Sequence, residues 1–299
     1  MMKTDVFIGG EYSYLIPLLL AKKCTGHVHS IFNNGFNIVM DDALIFIGNK
    51  KSGRLPFGIH LNEDVTHIVS RIANKEGVTW DESSSLLKFS NLAISLENGR
   101  SYKNGVSSLK SYTDFQKSFE TFSALLTSID AQPGLDVNIC GFLNMFNFFD
   151  QKQWSDTEQH LIWLIHVAMS NDLYLIEKTL RFFLGRGKGL TPSGDDLLVG
   201  FLAFDSIAHF VSALFYEQLS QLLEEETLTT DVGREYLRYA LNHEFSSTVT
   251  DFINILSSGN SAYLSRAFLN LLQVGHSSGL DTLFGIFIGM LAFKNPIER

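Results

Sequence analysis

The chain has little of what announces most small-domain chemistries. Two cysteines, Cys24 and Cys140, occur in 299 residues. That is too few for a disulfide framework or a four-cysteine zinc site, and a reducing cytoplasm is the expected setting. Five prolines and 18% charged residues exclude a proline-rich or strongly charged disordered chain. Positive charge is scarce: 23 Lys and Arg against 32 Asp and Glu leave a net charge of −9. Such a surface repels phosphate backbones, and the strongest basic signal, Arg186 with Lys188, is too small for a nucleic-acid footprint. Long apolar runs are missing as well. Residues 14–21 have the length of a signal-peptide core, but Glu11 precedes them and Lys22 and Lys23 follow where a cleavage site needs small residues. Residues 197–215 approach the ~20 residues of a membrane span, yet they hold Asp205 and His209, and the shorter run 279–293 holds Asp281. Both read as buried helices, and no membrane is expected.

What is present is core material: 45% hydrophobic residues, among them 25 phenylalanines. The length suggests about two domains, and the two ends of the chain are patterned differently. Early on, short β-prone runs at 27–32, 36–40 and 43–47 are separated by Asn33-Asn34-Gly35 and Asp41-Asp42. Further strand candidates lie at 57–61, 65–72 and 86–95, a spacing that predicts antiparallel strands in a small sheet or barrel. From Asp114 onward the period becomes helical, with Phe115, Phe119, Phe122 and Leu126 on one stripe. Ser155-Asp156-Thr157-Glu158 is a capping box, and helices are expected at about 172–183, 230–242, 246–257 and 261–274 around the long apolar one. The predicted class is α+β, with a β-rich domain over 1–110 and an all-helical domain over 111–299.

One segment is denser in special residues than any other: Gly185-Arg186-Gly187-Lys188-Gly189-Leu190-Thr191-Pro192-Ser193-Gly194-Asp195-Asp196. Alternating glycines with two cations, running into an apolar helix, outline an anion site built from helix N–H groups and mobile positive charge. It is not a Walker loop, because Gly189 follows Lys188. Nor is it a dinucleotide fingerprint, because it follows a helix and has Leu190 where that spacing needs glycine. Thr191 and Asp195 flank Ser193 at the positions where a nucleophile elbow needs glycine. Part of the segment returns 85 residues later: Ser193-Gly194-Asp195-Asp196-Leu197-Leu198-Val199-Gly200 aligns with Ser278-Gly279-Leu280-Asp281-Thr282-Leu283-Phe284-Gly285. The frame Ser-Gly-x-Asp-x-Leu-x-Gly opens an apolar helix each time, so two equivalent helix N-termini could face each other across a ligand. The competing structural explanation is two capping boxes, with Gly200, Gly285 and Gly289 allowing close helix packing. Capping accounts for Ser193, Asp196, Ser278 and Asp281, but not for the cationic glycine loop or His276.

Other candidates weigh less. His27-x-His29 puts two imidazoles on one strand face with no third ligand in sight. His160 and His166 share no helix face well and read as peripheral, and His209 reads as a core histidine. Arg54 reads as a surface turn residue, and Glu224-Glu225-Glu226 as a solvated helix end.

The segments at 187–196 and 275–285, the latter Gly-His-Ser-Ser-Gly-x-Asp-Thr-Leu-x-Gly, resemble the bacterial AllH-type family. Its members have carried the label of carboxylases, and one is a subunit of oxamate carbamoyltransferase. Farther upstream, Gly26-His27-Val28 and Leu55-Pro56 have the family's general look. The resemblance implies a cytoplasmic complex with FdrA-like and AllG-like subunits, acting in anaerobic allantoin and purine breakdown. There a carbamoyl group passes from oxalurate to phosphate, giving oxamate and carbamoyl phosphate. On that basis Arg186 and Lys188 are expected to grip phosphate or carboxylate. The backbone of Gly187, Gly189, Gly194 with Asp195, and Gly279 with Leu280 would cradle the anion. Thr191, Ser193 and Ser278 would orient the substrate, and Asp195 or Asp196 would accept from the oxamate amino group. His276 is the general acid–base candidate. No organic cofactor is expected; Asp195, Asp196 and Asp281 could together hold Mg²⁺. The alternatives are a non-catalytic scaffold or small-anion sensor subunit, and a free-standing carboxylase or ligase. Against the last stands the absence of a biotin-attachment Met-Lys-Met and of a Walker loop.

Overall fold

The computed structural model describes residues 5–21, 24–129, 132–148 and 154–294. The chain divides into two compact units, Met1–Asn104 and Gly105–Arg299, and the class is α+β: a β-rich N-terminal part followed by a helical one.

Ten strands of the first unit form one sheet: β1 (Asp5–Ile8), β2 (Glu11–Ser13), β3 (Thr25–Phe32), β4 (Gly35–Met40), β5 (Ala43–Gly48), β6 (Gly58–His60), β7 (Gly77–Asp81), β8 (Leu86–Lys88), β9 (Leu92–Ser95) and β10 (Arg100–Tyr102). Their order is β1-β9-β8-β7-β3-β4-β5-β6-β2-β10. Residues Gly9-Gly10 carry β1 directly into β2, while a turn at 96–99, closed by the Gly99 N–H on the Leu96 carbonyl, carries β9 into β10. The parallel ladder Ile8↔Ser95 is thus resumed as Glu11↔Arg100. The two ends of the sheet are joined through these bent strands, and it curls into a barrel around Val28, Phe36, Ile38, Ile45, Ile47, Ile59 and Leu87.

Three sequence expectations need correction here. The strands are not all antiparallel, since β1–β9, β2–β10 and β5–β6 are parallel. The run 86–95 is a hairpin, β8 and β9, not one strand. Residues 65–72 are not a strand: Asp64 accepts from the Thr66 N–H and caps a helix, α2 (Val65–Val69), which buries Val65 and Ile68. The β-branched composition was real, but an N-cap carboxylate and a three-residue apolar spacing decide for helix. Residues 14–21 hold another short helix, α1 (Ile16–Leu20).

The second unit comprises α3 (Tyr112–Ser128), α4 (Ile139–Phe148), α5 (Asp156–Val167), α6 (Leu173–Phe183), α7 (Ser193–Ala208), α8 (Ala213–Glu225), α9 (Asp231–Leu241), α10 (Ser247–Ser257), α11 (Ser261–Leu272) and α12 (Ser278–Lys294). The capping box of Ser155 and Glu158 closes on both sides. The long apolar stretch 197–215 is broken in two. His209, exposed and at φ +52°, ends α7, so it is a cap and not a core histidine. Asp205 is buried because it accepts from the N–H groups of Phe210 and Val211 and from the Tyr216 hydroxyl. No helix among the described residues is long and apolar enough to cross a membrane.

α7 and α12 form the centre of this unit, and both are buried almost throughout. A Cβ on Gly200 would lie 2.0 Å from the Thr282 carbonyl oxygen, and one on Gly285 would lie 2.0 Å from that of Leu197. In the repeat frame these are one contact made twice, as a two-fold relation requires. One turn further on, Gly289 lies against Phe204. The helices therefore run parallel, with both N-termini at the same end. Phenylalanines of neighbouring helices, among them Phe115 and Phe122 of α3 and Phe252 of α10, pack around them and meet Phe204 of α7 and Phe287 of α12.

Candidate functional site

The paired N-termini belong to two copies of a helix–loop–helix unit, α6–α7 and α11–α12. In each, the glycine of the second helix's first turn lies against the last turn of the first helix. A Cβ at Gly194 would meet the Phe183 carbonyl at 2.0 Å, and one at Gly279 that of Leu271 at 2.0 Å. The copies differ in their connecting loops. The first is longer, and its extra length is the cationic glycine segment. Gly185, Gly187 and Gly189 sit at φ +70°, +122° and +96°, where side chains are strained. Gly187 also lies so close over Ser193 that a Cβ would come 2.6 Å from its amide nitrogen.

At the shared end, Ser193 and Ser278 are the first residues of their helices. They do not form the expected capping boxes: Pro192 stands at the N-cap of α7, which has no side-chain cap. The pairs are crossed instead. The Ser193 hydroxyl lies with Asp281 of the other helix, and Ser278 lies with Asp196. Thr191 at the end of the loop is 3.1 Å from the Ser278 hydroxyl and also bears on Asp196. Ser277 and the Gly134 N–H (2.8 Å) complete the surroundings of Asp281.

Asp281 is 0% exposed and Asp196 is 7% exposed. Burial pushes both carboxyls up, Asp196 well above the usual range, where the neighbouring Asp281 adds to the effect. The hydroxyls oppose this shift, yet among the described residues the Oδ2 atom of each carboxylate has no donor.

Asp195 belongs elsewhere. Its Oδ1 accepts from the Gly185 N–H at 2.8 Å and its Oδ2 from the Thr229 hydroxyl, and Gly233 backs onto it. Burial raises this carboxyl to about 6. Each oxygen already accepts a hydrogen bond, so Asp195 is engaged with Gly185 and Thr229 apart from the Asp196 and Asp281 pair. Among the described residues no three of His, Cys, Asp and Glu converge on a metal-binding geometry.

The backbone cradle also departs from expectation. The Gly194 N–H donates to the Arg186 carbonyl, that of Asp195 to Pro192, and that of Gly279 to Val274. These donors hold the turns together and are not free for an anion. The cations stand outside: Arg186 and Lys188 are exposed, as are Gly187 and Gly189. Arg186 lies 3.8 Å over the Phe182 ring, and His160 stacks on the same ring at 3.6 Å. Two groups this close to one ring must take opposite faces, so Phe182 is sandwiched between them. His160 is buried and is not the peripheral residue its spacing suggested. His276 is exposed on the turn before α12, and its side chain makes no hydrogen bond to a described residue. The structure thus gathers Thr191, Ser193, Asp196, Ser278, Asp281 and, with Gly279 behind Ser278, the two helix starts. It leaves Asp195, Arg186, Lys188 and His276 on their own.

Sequence reasoning missed Ser277, Gly134, Thr229 and Phe182. The serine doublet before α12 carried a signal for the first; Pro133-Gly134 and Thr229-Thr230 look like ordinary turn and cap residues. The remaining candidates stay structural: Glu224 and Glu226 are ion-paired with Arg238 and Arg181, and Arg54 lies over Tyr102.

A two-unit protein with duplicated helix starts around a buried carboxylate pair defines the class. The AllH family N-terminal domain matches residues 7–101, and the family described as oxamate carbamoyltransferase subunit AllH matches residues 183–290. The chain belongs to the AllH family. No solved structure matches it.

Proposed function

We propose that this chain is the small-anion-binding subunit of a cytoplasmic complex that moves a carbamoyl group between oxalurate and phosphate, as in allantoin breakdown. Its partners would be FdrA-like and AllG-like subunits. The observation that carries the reading is the cationic loop anchored by Thr191 on the start of α12, beside three hydroxyls. Oxamate, oxalurate, phosphate and carbamoyl phosphate are all small anions, and carbamoyl transfer develops charge on an oxygen that cations and hydroxyls stabilise. Arg186 and Lys188 hold the carboxylate or phosphate, with Phe182 fixing the guanidinium. Thr191, Ser193 and Ser278 orient it, and His276, exposed at the rim, exchanges the proton.

A scaffold role is favoured by a different observation: the N–H donors of Gly194, Asp195 and Gly279 are used internally and the carboxylate pair is buried. One experiment separates the two. Oxamate and phosphate binding to the isolated chain is compared with that of Arg186→Ala, alongside recovery of the complex from the native host. The substrate reading expects binding to fall at least tenfold while the complex still assembles and makes oxalurate from oxamate and carbamoyl phosphate more slowly. Loss of assembly, or no binding by the wild-type chain, selects the scaffold.

A further inference from the structure

We propose that the crossed pair Asp196 and Asp281 binds a hard divalent cation of the Mg²⁺ type, held with the hydroxyls of Ser193, Ser278 and Thr191. The argument is independent of the carbamoyl-transfer reading. Two carboxylates from different helices are buried at one end of a parallel pair, and each keeps one oxygen, Oδ2, without a donor among the described residues. Buried acceptors of this kind are rare and costly unless something occupies them.

A basic side chain, protons, buried water or a divalent cation could satisfy them. A basic side chain is not supplied: the groups acting most strongly on either carboxylate are hydroxyls, the Gly134 N–H and other acids, with no Lys, Arg or His among them. Protons, which burial favours, or water would satisfy the two oxygens one at a time. A divalent cation balances both charges. The surrounding donor atoms are all oxygen, carboxylate and hydroxyl, which is the ligand chemistry of hard cations and unsuited to zinc or copper sites built on nitrogen and sulfur. The duplication fits as well, since a two-fold pair of Ser–Asp arms presents the same donors from opposite sides. The three-aspartate set suggested by sequence is thereby revised: Asp195 leaves it and the hydroxyls replace it.

The test uses the full chain. Protein purified without chelator is analysed for metal content, then stripped with EDTA and titrated with Mn²⁺ by electron paramagnetic resonance, with Mg²⁺ as competitor. The expected result is about one Mn²⁺ per chain, displaced by Mg²⁺, with a rise in Tm on metal addition. Asp281→Asn and Asp196→Asn should abolish that rise while raising the Tm of the metal-free protein, because each replaces a buried acid with a neutral amide. Ser278→Ala, a smaller change, should weaken Mn²⁺ binding about tenfold. Should an asparagine variant fail to fold, the serine variant and the wild-type stoichiometry still decide. Absence of Mn²⁺ binding by a folded wild-type chain overturns the proposal. So does a protonated-carboxyl infrared band at neutral pH that persists when metal is added and vanishes in Asp196→Asn, since that assigns the pair to a shared proton.

Discussion

His60 illustrates how a single buried side chain sets a measurable property of its unit. It lies in β6 with no exposure; its Nε2 accepts from the Leu55 N–H at 3.2 Å, and its Nδ1 pairs with the Asn49 carbonyl at 3.1 Å. That arrangement requires the neutral ring, with Nδ1–H as donor. Burial pushes the imidazole down to about 4 from 6.5. The unfolded chain therefore takes up a proton that the folded one refuses. The contribution is complete above pH 6.5, is lost as the pH falls from there to about 4, and then levels off. At ~1.4 kcal/mol per pH unit this amounts to about 3 kcal/mol. Urea unfolding of the wild type and of His60→Gln at pH 7 and at pH 4 should show the wild type losing that much more; parallel losses would refute the account. Little of this was legible in the sequence, where His60 is one histidine among nine. Asp196 and Asp281 were legible as a repeated pair, but not as a crossed one. Spacing within a helix argues for a local capping box, whereas the partner came from a helix 85 residues away.

At the scale of elements, the seam between α7 and α12 rests on glycines that helix propensity alone would remove. Alanine is better than glycine in a helix interior by ~1 kcal/mol. Here the added methyl at Gly200 or Gly285 would sit 2.0 Å from a backbone oxygen, and a backbone cannot rotate away as a side chain can. Gly200→Ala and Gly285→Ala should each destabilise by about 3 kcal/mol, the upper part of the range for overpacked cores. The double variant should cost clearly less than the sum, because the first methyl already separates the helices that the second would press apart. Chemical denaturation of the three variants measures this; simple additivity would mean the two glycines do not guard one seam. The glycines were readable as close-packing positions because the repeat aligned them. The break at His209 was not readable, because 197–215 is apolar on both sides of it and the signal, Asp205 capping the next turn, needs the folded chain. Likewise β-branched residues at 65–72 read as a strand until Asp64 and the helical spacing are weighed together.

On the scale of the molecule, the shift from short alternating runs to helical periods marked where β gives way to α, because each architecture imposes its own period on its apolar residues. The barrel closure was hidden, since parallel pairing between β1 and β9 joins residues with no local relation in sequence. Each unit has its own apolar core, which predicts two separable unfolding transitions. Between them the chain from Lys103 to Ser111 has no regular structure. The Ser107 N–H donates to Asn254 and that of Leu109 to Ile207, so the later part of this segment is tied to the helical unit. Asn104 is tied to the Arg54 carbonyl of the barrel unit. Cleavage should therefore concentrate at the exposed Lys103, outside regular structure and next to the boundary of the two units. Brief trypsin treatment is expected to yield two stable fragments, the smaller with a strand-type circular dichroism spectrum and the larger with a helical one. His60→Gln should alter the pH response of the first fragment's melting alone, and Gly200→Ala should lower that of the second alone. If each substitution moved both transitions equally, the units would unfold as one cooperative body and the two cores would have to be treated as a single one.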